Sequence, residues 1–407
     1  MPCCFKVETI SRFGFGGLAH AYGLQMLLVA AGNVWFGTWA VYRFLAWPTR
    51  KWQERLGART PAQLLGLGHG SPSLTRAMAF VFALFLGVYG SAVIKGAALL
   101  LAEILPVPVW ALIWLVAIIV GLTVFIGGLR GVLYTEAMQG VVMLVGMLML
   151  VGAIFSKVGG PWEGMQALAA LPPSDLANNG FVSLSGGERG LFILSLVVVT
   201  SIAVWAQPQM MQRHFAIADP RQLKKTTPLA MFILTVLVGG AYFAAALSRL
   251  ILPEAASLST ATGIYHIAVS ALSEDLRGRP SNRLSWFTGI AICVLVSGGC
   301  AQIKGQLVAL LCTTSWSIVG AMALVPYVAL VRFGRRNAGA AWASAACGFF
   351  SCLAWYLIAY GPTSIWGPQL GSVAAGIPPF FIGFLFSWIG WIAVSALSES
   401  PALEQEA

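Results

Sequence analysis

Charge is scarce in this chain. Lys, Arg, Asp and Glu make up 9% of 407 residues, against about a quarter in a soluble globular protein. So few charges cannot solvate a surface of this size, which excludes an ordinary soluble domain. Histidine is scarcer still: His20, His69, His214 and His266 are scattered, with no spacing for a metal site or a proton relay. Cysteine is present but unorganised. Cys3 and Cys4 are adjacent at the start, and Cys293, Cys300, Cys312, Cys347 and Cys352 lie in or beside apolar runs. With no Cys-x-x-Cys pair and no His/Cys cluster, neither a disulfide framework nor a bound metal is expected. A Walker loop, a His-Glu-x-x-His helix and a Gly-x-Ser-x-Gly elbow are also absent. Leu184-Ser-Gly-Gly-Glu188 echoes an ATPase signature but has no nucleotide domain around it. No catalytic constellation remains, so the chain is not expected to be an enzyme. Met1–Ile10 carries Lys6 and Glu8 and has no signal-peptide core.

Apolar residues fill the space that charge leaves. They form 58% of the chain, and mean hydropathy is +0.82. Crossing a bilayer takes roughly 20 helical residues. Ten runs meet that length, near 22–46, 77–101, 107–127, 132–155, 190–210, 229–252, 286–305, 307–331, 341–360 and 376–397. The 45 glycines suit helices that pack closely in lipid. The expected class is an all-α polytopic membrane protein whose first partner is the lipid bilayer. The net charge of +10 sits mainly in short loops, as the positive-inside rule requires. It forms no basic face interleaved with aromatics, so no nucleic-acid partner is expected.

Basic loops also orient the spans. Arg43–Arg59 is the richest and is assigned to the cytoplasm. Alternating from there, the turn at Arg130 falls inside, 156–187 outside, and Arg213–Lys225 inside again. Arg332, Arg335 and Arg336 should also be inside, yet seven spans separate them from Arg59, an odd number. Either 286–331 does not make two full crossings, or one helix is absent.

Four polar features stand out against the apolar background. Between Ile126 and Val142, Gly127-Gly-Leu-Arg130-Gly-Val-Leu-Tyr134-Thr-Glu136-Ala-Met-Gln139 forms a polar hinge between two apolar runs. An Arg, a Glu and a Gln so near hydrocarbon are costly. They serve either gating or a turn in which Gly127-Gly128 ends one helix. Trp205-Ala-Gln207-Pro208-Gln209 lies inside another apolar run. Pro208 removes a backbone donor there, making either an ordinary kink or a break of the kind that holds transported ligands. Ser201, Trp205 and Gln207 are the substrate-side candidates, and Pro208 is structural. Lys95 sits deep in a span beside Tyr89 and Ser91, where it either binds a carboxylate solute or is paired structurally. Lys304 has the simpler reading of an ammonium snorkelling at a helix end. Last, Ser297-Gly-Gly-Cys-Ala-Gln302 reads as a packing notch with one serine.

Two of these motifs resemble the sodium:solute symporter family. There a Gly-Gly-Leu-x-Ala turn precedes Thr-Asp-x-x-Gln, matched by Gly127–Gln139 with Gly131 and Glu136 as departures. Gln207-Pro-Gln-Met-Met-Gln-Arg213-His-Phe-Ala resembles the family's Gly-Gln-Pro-x-x-x-Arg-x-x-Ala at the end of the sixth core helix. Phe13–Gly23 resembles the junction of the first two core helices. Trp286–Gln302 resembles the eighth, and Thr313–Tyr327 followed by Arg335-Arg-Asn-Ala-Gly-Ala the tenth and its exit.

This resemblance implies a LeuT-like five-plus-five inverted-repeat bundle that is incomplete. It would lack the start of the first core helix and the ninth. The transporter domain would run from 13 to 397, between a segment 1–12 outside the family and a tail 398–407. The resemblance also implies sodium-coupled symport of a small polar solute across the plasma membrane by alternating access. Na+ would be bound by Ser297 and the Val294 carbonyl, in a set depleted because Gly298 and Ala301 replace hydroxyl residues. Arg130, Glu136 and Gln139 would act structurally or in gating. The alternative is a transport-defective truncated homologue, a fragment or membrane scaffold.

Overall fold

The computed structural model describes residues 15–174, 176–185, 187, 190–251, 268, 271–278, 282–302, 308–360 and 377–398. Segment 1–12, His266 and Lys304 lie outside them. The regular structure of the described residues is helical, with no strand among them beyond the isolated bridge Ser174–Ala177. Nine helices are long and apolar enough to cross a bilayer, and a bent pair makes a tenth. Each corresponds to one of the ten apolar runs.

The first, α1 (Gly16–Leu56), runs through the segment expected to be the basic loop at Arg43. Two π-helical stretches, Asn33–Trp39 and Tyr42–Ala46, lie within it. Pro48 falls just after the second, where a new helical segment starts at Trp47 and needs no donor from it. That is why the proline does not end the helix. A short α2 (Pro61–Gly68), capped by the Thr60 hydroxyl, leads to α3 (Pro72–Ile104).

Next, α4 (Val109–Val158) remains helical through the polar hinge, so Gly127-Gly128 does not end a helix as expected. Glycine and β-branched residues only weaken a helix there, and no proline interrupts 127–139. The two spans within α4, Val109–Gly127 and Tyr134–Val158, nevertheless lie against different partners. On the first, Phe125 meets Phe287 and the Trp110 carbonyl accepts from Gln302. On the second, Met147 and Val151 approach Gly240, and Phe155 meets Phe243.

The rest follows as α5 (Pro161–Ala169), α6 (Gly190–Ser201), α7 (Pro208–Phe215), α8 (Pro220–Ser248), α9 (Arg283–Ala301), α10 (Val308–Phe333), α11 (Ala338–Tyr360) and α12 (Pro379–Leu397). The main core joins α3, α10 and the first half of α4, around the fully buried Tyr327, Phe82 and Leu86. Thr49 on α1 shares a 2.6 Å hydrogen bond with the Tyr327 hydroxyl.

The basic segments gather at one end. Arg50 donates to the Phe215 carbonyl, and Arg336 to those of Gly68 and Leu67. By the positive-inside rule this end is cytoplasmic. At the far end Arg249 donates to the His20 carbonyl and stacks on Phe181 at 4.2 Å. The turn that precedes α9 also lies at the basic end. Asp275, in the π turn Ala271–Asp275, accepts from Thr60 at 2.7 Å and Gln63 at 3.0 Å. Arg249 and Asp275 therefore sit at opposite ends. Both α9 and α10 contain stretches long and apolar enough to cross a bilayer.

Candidate functional site

The bent span is the most irregular part of the described core. After α6, a 3-10 turn over Ala203–Ala206 ends at Gln207, whose backbone is extended (φ −68°, ψ 130°). Pro208 then opens α7 at 47° to what precedes it. Proline has no N–H to continue the α6 ladder but suits the first turn of a new helix. The structure thus selects a break over an ordinary kink.

Neighbouring groups hold the break open. The Gln207 amide donates to the carbonyls of Ala203 (3.4 Å) and Trp316 (3.2 Å). Trp205 Nε1 donates to the Phe36 carbonyl at 2.7 Å, and Asn33 donates to the Thr200 carbonyl at 3.1 Å. Both tie the span to the first π stretch of α1. Gly32 faces Ser201 so closely that an added Cβ would lie 2.9 Å from the serine Oγ. On the other side Gly320 of α10 rests on Ala203.

Several buried polar atoms here have no hydrogen-bond partner among the described residues. They are Ser201 Oγ, Gln207 Oε1, Gln209 Oε1 and His214 Nδ1. Buried polar groups in proteins are almost always satisfied, and each exception calls for a water, an ion, a ligand or a functional role. Ser201, Trp205, Gln207 and Pro208 therefore do lie together. Gln209, His214 and Asn33 join them, though sequence reasoning had not assigned them roles. The signal available for them was three glutamines, Gln207, Gln209 and Gln212, within one and a half turns of an apolar span.

The remaining candidates lie elsewhere. Gln207 connects to α3 through Trp316, whose ring meets Tyr89 edge-on at 5.3 Å. Lys95 is six residues beyond Tyr89, about 9 Å farther toward the outer end. It is half-buried, on the face that carries Val88 and Ala92, which pack on Cys312. Ser297 and Val294 belong to the interface of α9 with α3 and α4. The Ser297 hydroxyl donates to the Cys293 carbonyl of its own helix at 2.5 Å. Val294 packs on Gly121, and a Cβ on Gly298 would sit 2.5 Å from the Trp114 ring. That segment is built as a packing notch.

A hard cation needs a cage of oxygen ligands. One serine hydroxyl, beside a glycine that a tryptophan covers, does not make one. Sodium therefore does not fit the residues at 294–298 by themselves. No group of three His, Cys, Asp or Glu side chains able to hold a metal occurs among the described residues.

The hinge residues sit at the cytoplasmic end. Glu136 accepts from the Arg213 guanidinium at 3.2 Å. Gln139 is half-buried and Tyr134 exposed. Arg130 is in helix, and its side chain lies outside the described residues.

An all-α bundle whose central span is broken and lined by buried amides and a hydroxyl is a polytopic membrane protein of secondary-transporter architecture. Comparison with known proteins carries this further. Residues 7–319 match the sodium:solute symporter family, and the chain belongs to it. Its relatives include the sodium/pantothenate symporter of Haemophilus influenzae, 26% identical over 254 residues. The sodium/pantothenate symporter of Escherichia coli is 24% identical over 256 residues, and the high-affinity proline transporter PutP of Bacillus subtilis 24% over 243. These alignments cover 60%, 61% and 56% of this chain. The chain spans about half the length of each relative, 50% in all three. In fold it is similar to a Na+-coupled sialic acid symporter solved in a substrate-bound outward-open state. That likeness has a TM-score of 0.65 at 13% identity, covering 97% of this chain and 88% of the other.

Proposed function

We propose that this protein carries a small polar solute across the plasma membrane by alternating access, driven by a sodium gradient, with the solute held at the break between α6 and α7. The observation that supports this reading is the set of buried, unpartnered Ser201 Oγ, Gln207 Oε1 and Gln209 Oε1 beside a 47° break. Together they offer one hydroxyl and two amide carbonyls to a ligand rich in N–H or O–H groups. Trp205 supplies an apolar wall, and Lys95 an ammonium for a solute carboxylate entering from the outer side. Pantothenate and proline, named for the relatives, each carry a carboxylate and are the first solutes to try.

The test is uptake by proteoliposomes containing the full chain, with and without an imposed sodium gradient, against a panel of labelled solutes. Gradient-dependent accumulation abolished in Gln207→Ala supports the reading. Absence of accumulation from folded protein refutes it. A second reading rests on the covered Gly298: a homologue that no longer couples to sodium. It predicts solute binding whose affinity is indifferent to sodium.

A further inference from the structure

A second polar feature lies away from the broken span, on the lipid-facing side near the cytoplasmic end. There α1 and α8 enclose a cavity of about 730 Å³ whose lining includes Arg43, Lys224 and Arg332 and no carboxylate. None of these cations has an ion pair among the described residues, where the pairs are Arg50–Glu54 and Arg213–Glu136. The nearest acid in sequence, Asp219, is occupied in capping α8 through the Arg221 N–H at 2.8 Å. All three are exposed, and like charges gathered without a counter-ion repel one another, which favours an anion there.

Below the cations the wall turns aromatic. Trp35 meets Trp39 edge-on at 6.3 Å, Trp39 meets Phe44 at 6.0 Å, and Arg43 lies over the Phe44 ring. Trp35 is 56% exposed and Phe44 43%, so the wall opens toward the bilayer. From Trp35 to Trp47 the helix rises about 18 Å. The cavity therefore runs from headgroup level into the acyl region. Two π stretches of α1 form this wall, and π turns recur at functional sites.

We propose that this cavity binds one anionic phospholipid of the cytoplasmic leaflet. Arg43, Lys224 and Arg332 hold its phosphate, and an acyl chain lies along Trp35, Trp39 and Phe44. Basic pockets between membrane helices on the cytoplasmic side are suited to such headgroups. Free phosphate would use the cations but leave the aromatic wall bare. A zwitterionic lipid would use the wall but bring its own cation to the three basic groups.

Native mass spectrometry of the full chain in detergent tests this, with phosphatidylglycerol, phosphatidylcholine and inorganic phosphate as probes. The expected result is one tightly retained phosphatidylglycerol, preferred over phosphatidylcholine and not displaced by inorganic phosphate. Each of Arg43→Gln, Lys224→Gln and Arg332→Gln should weaken it about fivefold. Arg221→Gln and Lys225→Gln, which change exposed charges outside the lining, should leave it unaltered. The single variants keep the test sound if the triple variant fails to fold. Equal retention of phosphatidylcholine, displacement by inorganic phosphate, or unchanged binding in all three single variants would overturn the proposal.

Discussion

Arg213 pairs with Glu136 at 3.2 Å, joining the two motifs that carry the family resemblance. One lies in the polar hinge of α4 and the other at the end of the broken span. The pair ties the cytoplasmic end of α7 to the hinge, so any movement of the span must carry or break it. With Arg213 46% and Glu136 23% exposed, the contact is worth at most about 1 kcal/mol. A double-mutant cycle with Glu136→Gln and Arg213→Gln should therefore give a coupling of about 0.5–1 kcal/mol in unfolding stability. The charge-swapped pair Glu136→Arg with Arg213→Glu should recover most of it. A coupling of zero would mean that the pair does not form in the membrane.

Restoring a hydroxyl at 298 is predicted to fail. Gly298→Ser places a Cβ 2.5 Å from the Trp114 ring, and overpacking of this kind costs about 1–3 kcal/mol. Melting of the purified protein should fall, with no new sodium dependence. Adding Trp114→Ala should relieve the clash while introducing its own cavity cost. A rise in melting temperature with sodium in Gly298→Ser alone would show that the notch opens to admit the ion.

Gln207 and Trp205 separate binding from structure. Trp205→Phe removes the bond to the Phe36 carbonyl and should destabilise by about 1 kcal/mol. Gln207→Leu deletes an unpartnered carbonyl together with two weak donated bonds. Its stability should change by less than about 1 kcal/mol, while solute uptake is lost. Unchanged uptake would move the solute site away from the break.

Two buried groups at the cytoplasmic end should oppose each other in pH dependence. His69 bridges the Pro326 carbonyl at 3.0 Å and the Asn337 N–H at 3.4 Å. Burial, assisted by Arg336, lowers its pKa to about 4 against the raising effect of the Pro326 bond. Its folded pKa lies below the unfolded value near 6.5, so its contribution is full above pH 6.5 and lost as pH falls toward 4. Burial raises Asp275 to about 7, opposed by hydrogen bonds from Thr60 and Gln63 and assisted by the Glu274 charge. Its folded pKa lies above the unfolded value, so stability is full below about pH 4 and is lost as pH rises toward 7. Between about pH 4 and 6.5 the slopes, each up to about 1.4 kcal/mol per pH unit, cancel. Melting of the parent chain should be nearly flat in that window. Asp275→Asn should expose a rise with pH, and His69→Gln a fall. Parallel profiles in both variants would contradict this assignment.

The ten spans, their order and the cytoplasmic end were legible in the sequence because hydropathy and positive charge are local sums along the chain. The family motifs were legible for the same reason, as short runs of adjacent residues. Proline at 208 marked the broken span, although a break and a kink share that signal. The helical continuity of α4 and of Arg43–Leu56 was hidden, since glycine, proline and charge look alike in a turn and in a helix stabilised by its neighbours.

Tertiary structure alone decided which polar groups meet. Arg213 and Glu136 are 77 residues apart, Asp275 and Gln63 212 apart. No periodicity relates such distant positions. The role of Gly298 depended on where Trp114 falls, and the three-cation cavity on how α1 packs beside α8. Sequence determines the segments that the bilayer accepts, because lipid tests each segment by its own composition. Pairing between segments is decided by packing and by the cost of leaving a buried polar group unpaired, and both exist only once the chain is folded.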